Sequence, residues 1–144
     1  MINSQRDLTI REMPEAEEFA EWLADLTGAD GGSLAERYLV LTDEIGEWIG
    51  GLRFLERGGV AQVVDLGVIP SERRQGHGLR LIQAFEDQAQ ENGAHLVEFW
   101  TDQLGLEPLL AALGWRKVMS RPDYINGQTW YLLEKRLKPV ARSA

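Results

Sequence analysis

The stretch Val68-Ile69-Pro70-Ser71-Glu72-Arg73-Arg74-Gln75-Gly76-His77-Gly78-Leu79 decides the fold, because it links a predicted strand to a predicted amphipathic helix. Gly76 and Gly78 have no Cβ atom, so a ligand can approach the backbone closely there. The first N–H groups of the helix have no partner within it and carry partial positive charge. With Arg73 and Arg74 beside them, these groups predict a phosphate-binding turn.

Strands and a helix flank this turn. Val60 to Val68 is rich in β-branched residues and predicts a central strand that runs into the turn. The helix after the turn has one apolar face and ends at Asn92-Gly93. His95 to Trp100 predicts the next strand, and because a helix joins the two strands, we expect them to be parallel neighbours. The apolar face of the helix carries Leu79, Ile82, Phe85 and Ala89.

The rest of the chain predicts an α/β (α+β) fold with a mixed central sheet of about six to seven strands flanked by helices. A first helix carries an apolar stripe from Phe19 to Leu26 and ends at Gly28. A loop to Ser33 and a short helical turn follow it. A further short helix runs between Leu106 and Leu113. The other predicted strands are Leu8–Arg11, Tyr38–Leu41, Trp48–Leu55, Trp115–Met119 and Thr129–Lys135.

Length and composition indicate one folded domain. The chain has 144 residues and 44% apolar content, which suffices for one core without disulfides or metals. We expect a single domain over residues 1–138 and a flexible C-terminal tail at residues 139–144. The sequence contains no cysteine, which excludes thiol nucleophiles, disulfides and iron–sulfur clusters. No metal site is predicted.

Charge and hydropathy limit the classes of molecule that the protein is expected to bind. A formal charge of −8 argues against nucleic-acid binding, which needs basic surface. Between Val68 and Arg80, however, three arginines face one glutamate, so a small polyanion can bind there. The acidic remainder favours a cationic second substrate, or it serves solubility. No signal peptide or membrane span is predicted, so we expect a cytoplasmic protein that does not bind membranes.

With strand, turn and helix in place, the sequence resembles the GNAT N-acetyltransferase superfamily. The family pattern is Arg/Gln-x-x-Gly-x-Gly/Ala, with an aliphatic residue five positions earlier at the end of the fourth strand and a proline between. Arg73, Gly76 and Gly78 fill the pattern, Val68 holds the aliphatic place and Pro70 the proline. A dinucleotide-binding turn fits worse, because its third glycine would fall at Leu81.

The resemblance implies acetyl-CoA as co-substrate and transfer of its acetyl group to an amine of a small molecule or peptide, by direct attack in a ternary complex. It implies that the fourth and fifth strands splay apart after Val68, so that the pantetheine arm pairs with the strand end while the turn holds the pyrophosphate. Homodimers are common in this superfamily. The residues implied to bind the co-substrate are Leu66, Gly67, Val68, Arg73, Arg74, Gln75, Gly76, His77, Gly78 and Leu79.

The catalytic half departs from the family pattern. Many members place a glutamate on the fourth strand, at positions that correspond to Gln62 or Val64, and neither residue can take a proton. Many also place a tyrosine four residues before the glycine that ends the short helix, and that position is Leu110. The sequence therefore leaves open a second function class, a non-catalytic acyl-CoA-binding sensor or partner domain.

Three nearby residues are candidate substitutes for the missing acid and base. Asp65 lies on the fourth strand and is either a base or a partner in a structural salt bridge. Strand alternation places it on the face opposite Gln62 unless a bulge intervenes. Glu98 lies near the end of the fifth strand and is either a base or a solvated surface carboxylate. Tyr124 either donates a proton over the acceptor site or packs its loop. His77 is interpreted as part of the phosphate turn rather than as a base.

Overall fold

The larger part of the chain is built around a six-stranded mixed sheet. The computed structural model describes residues 8–28 and 34–138, and the chain divides into two compact units, residues 1–32 and 33–144. Most of the predicted loop, residues 29–33, and the predicted tail at residues 139–144 lie outside the described residues. The single domain over residues 1–138 stays a prediction.

Every strand and helix predicted from Tyr38 onward is present in the structure. The sheet order is β1-β2-β3-β4-β6-β5, and β3 and β4 are parallel while the other neighbours are antiparallel. No described helix combines the length and the apolar composition needed to cross a membrane. The strands are β1 (Ala35–Thr42), β2 (Trp48–Arg57), β3 (Val60–Val68), β4 (Leu96–Thr101), β5 (Arg116–Arg121) and β6 (Trp130–Arg136); the helices are α1 (Glu17–Thr27), α2 (His77–Glu91) and α3 (Glu107–Ala112).

Helix α2 covers one face of the sheet, as its apolar stripe predicts. The Phe85 ring meets the Phe54 ring of β2 edge-on, with centroids 5.0 Å apart, and both side chains are fully buried. Burial of one such side chain contributes about 1.5–3 kcal/mol. The Lys135 ammonium of β6 pairs with Glu86 of α2, so the odd-numbered residues of β6 point toward α2.

The far face, defined as the sheet face opposite α2, is polar and aromatic. Because side chains alternate along a strand, the even-numbered residues of β4 and β6 point to it. All of these residues except the exposed Arg136 are half-buried, whereas their odd-numbered neighbours Val97, Phe99 and Leu133 are buried. The far face carries Gln62, Asp65, Glu98, Trp100, Trp130 and Glu134.

Two predictions for the N-terminal third are wrong. Leu8–Arg11 forms neither helix nor strand, because an alternating pattern becomes a strand only where a neighbouring strand supplies hydrogen-bond partners. The predicted fourth and fifth strands are therefore β3 and β4. The short helical turn expected after Ser33 is absent from the described residues, because β1 begins at Ala35, which pairs with Glu56 of β2.

Candidate active site

Strands β3 and β4 part halfway along their length. They pair from Val60 with Leu96 to Val63 with Phe99, and no further pair follows. The predicted splay is present, but it begins after Val63 and not after Val68. A β-bulge explains the earlier start: Phe54 of β2 faces Val63 while Arg53 faces Asp65, so Val64 is the extra residue. A bulge bends its strand and increases its twist, which ends the pairing with β4.

The splay opens a cleft of about 690 Å³. One wall is the free end of β3, the second is the end of β4, and the turn from Glu72 to Leu79 closes one side. Beyond Val63 the β3 backbone pairs with β2 on one side only, so its polar groups facing β4 are available to a ligand. The main lining residues are Val64–Val68, Glu72–Arg74, Gly76–Leu79, Phe99–Gln103, Gly105, Leu106, Leu109 and Trp130.

The turn presents free backbone N–H groups to this cleft. Gly76 has φ of 83°, a left-handed conformation that glycine adopts without strain, and its carbonyl accepts the N–H of Arg80 at 3.0 Å. Within the part of the chain that the structure describes, the N–H groups from Gln75 to Leu79 donate no hydrogen bond. An anion in the cleft would satisfy these donors.

The two arginines of the turn differ in their contacts. Arg73 Nε donates a hydrogen bond to the Val68 carbonyl at 3.0 Å, which fastens the turn to the end of β3. Arg74 has φ of 64°, and both arginines line the cleft. The sequence predicts one of them as the phosphate ligand without distinguishing their roles.

His77 begins α2 and lines the cleft beside Glu72. Its Nε2 lies 3.4 Å from Glu72 Oε1, yet the atom is buried and forms no hydrogen bond with the described residues. The imidazole and the carboxylate are therefore within ion-pair distance, but their orientation does not suit a hydrogen bond, so the contact is weak. The interpretation of His77 as part of the phosphate site stays a prediction.

The bulge moves Asp65 to the far face, where it joins an exposed ionic network. Arg53 Nε donates to Asp65 Oδ2 at 2.8 Å, and Arg53 Nη1 donates to Glu36 Oε1 at 3.0 Å. Hydrogen bonds from Tyr38 and then Arg53 lower the pKa of Glu36, while the bond to Glu36 raises the pKa of Tyr38. Asp65 lines the cleft, but its partner is the guanidinium, as the salt-bridge alternative predicts.

Glu98 lies on the far face of β4, one pair before the splay, and it is not among the residues that line the cleft, whereas Asp65 and Asp102 are. It faces Gln62 across β3 and Glu134 across β6. It has no ion-pair partner within residues 8–28 and 34–138, whereas Glu134 lies 3.7 Å from Arg116 Nη2. Burial, and secondarily the charge of Glu134, raise the pKa of Glu98. Like charges directly across a sheet are unfavourable, so the sheet alone gives no reason for a glutamate here.

Tyr124 belongs to an aromatic cluster at the cleft. Its ring centroid lies 5.6 Å from Trp100 and 6.5 Å from Trp130, and the Arg121 guanidinium covers it at 5.0 Å. Trp130 Nε1 donates to the Ile125 carbonyl at 3.0 Å, which fixes the loop that carries Tyr124. Trp100 and Trp130 line the cleft, whereas Tyr124, which contacts both rings, does not.

Two residues that line the cleft were not predicted from the sequence. Val64 lines the cleft because of the bulge, which no sequence pattern indicated. Trp130 was interpreted as a sheet residue, and only the Asn126-Gly127 turn before it hints that it closes a loop. Leu110, in contrast, is fully buried in the core, so the leucine at that position packs and faces no substrate.

Comparison with known proteins places this geometry in a family. Many solved structures share the fold. Three of them are 14–21% identical to this chain, so their likeness concerns the fold alone. No match is found among curated proteins. An acetyltransferase from Bacillus cereus ATCC 14579 has a TM-score of 0.72 at 21% identity and covers 92% of this chain and 98% of its own.

Two further neighbours extend the comparison. A Bacillus anthracis protein assigned as a streptothricin acetyltransferase, solved in complex with acetyl coenzyme A, has a TM-score of 0.61 at 14% identity and covers 72% of this chain and 63% of its own. The ribosomal-protein-S18-alanine N-acetyltransferase from Escherichia coli has a TM-score of 0.60 at 16% identity and covers 83% of this chain and 77% of its own.

The sequence model of the Acetyltransferase (GNAT) family matches residues 3–115. This match spans most of the chain and includes the turn, the bulged strand and both strands of the splay. It confirms the resemblance and the predicted fold class. The chain belongs to the GNAT acetyltransferase family.

Proposed function

We propose that the protein is an acetyl-CoA-dependent N-acetyltransferase that joins both substrates in a ternary complex. The observation that carries this proposal is the cleft between the splayed ends of β3 and β4, closed by a turn with free N–H groups. This arrangement offers an extended backbone edge next to an anion site. A molecule with amide groups and a pyrophosphate, such as acetyl-CoA, matches both parts.

The donor half is supplied mainly by backbone. The pyrophosphate would accept hydrogen bonds from the N–H groups of Gln75 to Leu79, and the pantetheine amides would extend the sheet along Leu66 to Val68. A side chain at Gly76 or Gly67 would stand in the space beside this path, since no atom lies within 4 Å of either ideal Cβ position. The acetyl-CoA complex of the Bacillus anthracis neighbour supports acetyl-CoA as the ligand.

The transfer step needs no covalent intermediate with the protein. The neutral amine nitrogen attacks the thioester carbonyl carbon, a C–N bond forms, the C–S bond breaks and CoA leaves as thiolate. A thiol with a reference pKa of about 8.5 leaves tolerably at neutral pH, which agrees with a core leucine at position 110. Correct placement of the two substrates supplies much of the rate.

Glu98 is our candidate for the group that receives the proton of the amine. It lies one residue before the last β3–β4 pair, it has no ion-pair partner among the residues that the structure describes, and its pKa is raised. A raised pKa makes a carboxylate a better base at neutral pH. Asp65 is a weaker candidate because Arg53 already binds it, and Tyr124 packs against Trp100 and Trp130 without lining the cleft.

The acceptor would be an amine that reaches the thioester from the far face. Trp100 and Trp130 offer ring faces, and Glu98 offers a negative charge, so an amine that is cationic in solution would be attracted. An amine with a pKa near 8 is more often neutral at pH 7 than a lysine with a pKa of about 10.4. A small molecule or a peptide α-amine therefore suits a weak base, and the proposal includes action in the cytoplasm.

A second candidate function is acyl-CoA binding without catalysis. It is favoured by the apolar core role of Leu110 and by the half-buried amide of Gln62 at a position where a base would serve. Both functions share the donor cleft, and they differ only on the far face.

Incubation of the pure protein with acetyl-CoA and a panel of small amines, peptides and aminoglycosides separates the two functions. Free CoA thiol is measured over time, and acetylated amine is measured by mass spectrometry. We expect thiol release that depends on one class of amine. Tight CoA binding without amine-dependent release would instead establish the non-catalytic function.

A further inference from the structure

We propose that the acceptor amine carries a second positive charge, which binds at the far-face mouth of the cleft, defined as Asp65, Trp100 and Trp130. The acceptor class is then an aliphatic diamine or polyamine and not a monoamine. All three side chains line the cleft. This inference rests on the proposed function, because it names the acceptor of that reaction.

The sheet register brings the three side chains of the far-face mouth to one edge of the cleft. Strands β3 and β4 pair no further than Phe99, so Asp65 and Trp100 are the first far-face residues of the two strands beyond the parting point. On the neighbouring strand, Leu132 pairs with Trp100, and Trp130 is the next residue of β6 on the same face. An acceptor that enters from the far face therefore meets a carboxylate on one side and two indole rings on the other.

The charges that line the cleft are separated by sign. Among the described residues that line it, the only arginines are Arg73 and Arg74 of the turn, and there is no lysine. Away from the turn, the charged residues that line the cleft are Asp65 and Asp102. The pantetheine arm and the thioester of acetyl-CoA are uncharged, so nothing in the donor accounts for these carboxylates. They are available to a cationic acceptor.

Arg53 does not neutralise this part of the far face. It donates through Nε to Asp65 Oδ2 at 2.8 Å and through Nη1 to Glu36 Oε1 at 3.0 Å, so one guanidinium serves two carboxylates. Asp65 keeps 68% of its side chain exposed, and its Oδ1 accepts no hydrogen bond from the residues that the structure describes. Arg53 therefore holds the carboxylate in place and leaves one of its oxygens free for a cation.

The reacting amine is not the cation that this mouth would hold. It must lose its ammonium proton before it attacks the thioester, and the amide that it becomes is uncharged. A carboxylate and indole faces stabilise a nitrogen that keeps its proton throughout. A second ammonium a few bonds away also lowers the pKa of the reacting amine, because like charges repel. This effect suits a site whose proton acceptor is a weak base.

The first test is acceptor kinetics with three amines of equal chain length: diaminobutane, aminobutanol and butylamine. Thiol release from acetyl-CoA is measured at low and high salt. The kcat/KM for diaminobutane should exceed that for butylamine about tenfold at low salt, as a cation–π contact and an exposed ion pair together would give. Salt should reduce this preference. Aminobutanol has a polar group but no second charge, so it should behave like butylamine.

The second test assigns the preference for the diamine to the far-face mouth. Asp65→Asn keeps an oxygen for Arg53 but removes the charge, so it should reduce the preference about fivefold, by raising the KM for the diamine. Trp100→Leu should reduce it about threefold. Asp87→Asn, at an exposed position of α2 that does not line the cleft, is the control and should keep the preference. The kcat/KM of each variant for butylamine is its own reference, so a general loss of activity does not count.

Several results would overturn the second-charge site. Equal kcat/KM for diaminobutane and butylamine would mean that no second charge is bound. An unchanged preference in Asp65→Asn, or a loss confined to Asp102→Asn, would place the cation elsewhere in the cleft. An equal loss in Asp87→Asn would assign the preference to the acidic surface as a whole.

Calorimetry separates this inference from the proposed function. If no amine causes thiol release, the proposed function fails, but diaminobutane can still be titrated into the protein with and without CoA. Binding that exceeds that of butylamine and weakens about fivefold in Asp65→Asn would support the cation site on its own. Equal binding of the two amines would overturn it.

Discussion

The donor cleft and the far face of the same sheet are built from different parts of the polypeptide. In the cleft, the proposed contacts come from backbone: N–H groups of the turn and the unpaired edge of β3. On the far face, the candidate groups are the side chains of Glu98, Trp100 and Tyr124. Backbone geometry depends on a few glycines and a short motif, whereas side-chain chemistry depends on register, so the first region resists substitution of most side chains and the second does not.

The largest effect should follow a change of backbone conformation in the cleft. Gly76→Val places a β-branched residue at φ of 83°, which costs about 1–3 kcal/mol in strain. It also misaligns several N–H donors that would bind a charged group, each contributing about 1.5–3 kcal/mol. We expect CoA affinity to fall about a thousandfold by calorimetry.

Gly58→Val is the matched control. Gly58 has φ of 59° and, like Gly76, has no atom within 4 Å of its ideal Cβ position, but it lies in the β2–β3 turn away from the cleft. Both variants should lose similar stability in urea. If Gly58→Val lost CoA binding as completely as Gly76→Val, general destabilisation and not the site would explain the result.

A smaller but still large effect should follow removal of the far-face base. Glu98→Gln should lower kcat about a hundredfold, the usual contribution of a general base, and should leave CoA affinity unchanged. Steady-state kinetics with the best amine of the panel measures this. A kcat within threefold of the wild type would exclude Glu98 as the proton acceptor.

The same substitution makes a stability prediction with a definite sign. Burial and Glu134 raise the pKa of Glu98, so the folded state binds more protons than the unfolded state between the ordinary and the raised pKa. The stability of the wild type should therefore fall as pH rises through that window. The Tm of Glu98→Gln minus that of the wild type should increase over the same window, and a constant difference would contradict the assigned burial.

The aromatic cluster should affect the acceptor and not the donor. Tyr124→Ala removes two ring contacts worth about 0.5–1.5 kcal/mol each, so the KM for the amine should rise about tenfold while the KM for acetyl-CoA stays the same. Tyr124→Phe keeps the rings and should behave like the wild type. Loss of kcat in Tyr124→Phe would mean that the hydroxyl donates a proton and that the cluster is more than a wall.

The smallest effect is expected at Asp65. Its carboxylate is exposed and bound to Arg53 at 2.8 Å, and surface ion pairs of this kind contribute little. Asp65→Asn should change kcat by less than about twofold. A loss comparable to that of Glu98→Gln would show that the base lies on β3 and would exchange the roles of the two carboxylates.

The fold was largely predictable because its signals are local. The strand before the turn, the apolar stripe of α2 and Gly76 in the turn each indicate one structure, and the positive φ of Gly76 agrees. Leu8–Arg11 failed because strand formation depends on a partner strand, which no local pattern reveals.

The candidate site was predictable only in its donor half. The motif from Arg73 to Gly78 located the turn, but the bulge at Val64 changes the face of every later residue in β3. Without that bulge, Asp65 would point toward α2. Burial, and secondarily the charge of Glu134, raise the pKa of Glu98. Glu134 faces Glu98 through cross-strand register with β6, and this pairing cannot be predicted from the sequence of β4 alone.

Residue-resolved amide exchange with and without CoA tests most directly the claim that the donor site is made of backbone at the splay. The predicted result is protection of the amides of Gln75 to Leu79 and of Leu66 to Val68 on addition of CoA, with the amides of Glu98 and Tyr124 unchanged. Protection centred on the far face, or CoA binding that leaves the amides of the turn unprotected, would contradict it.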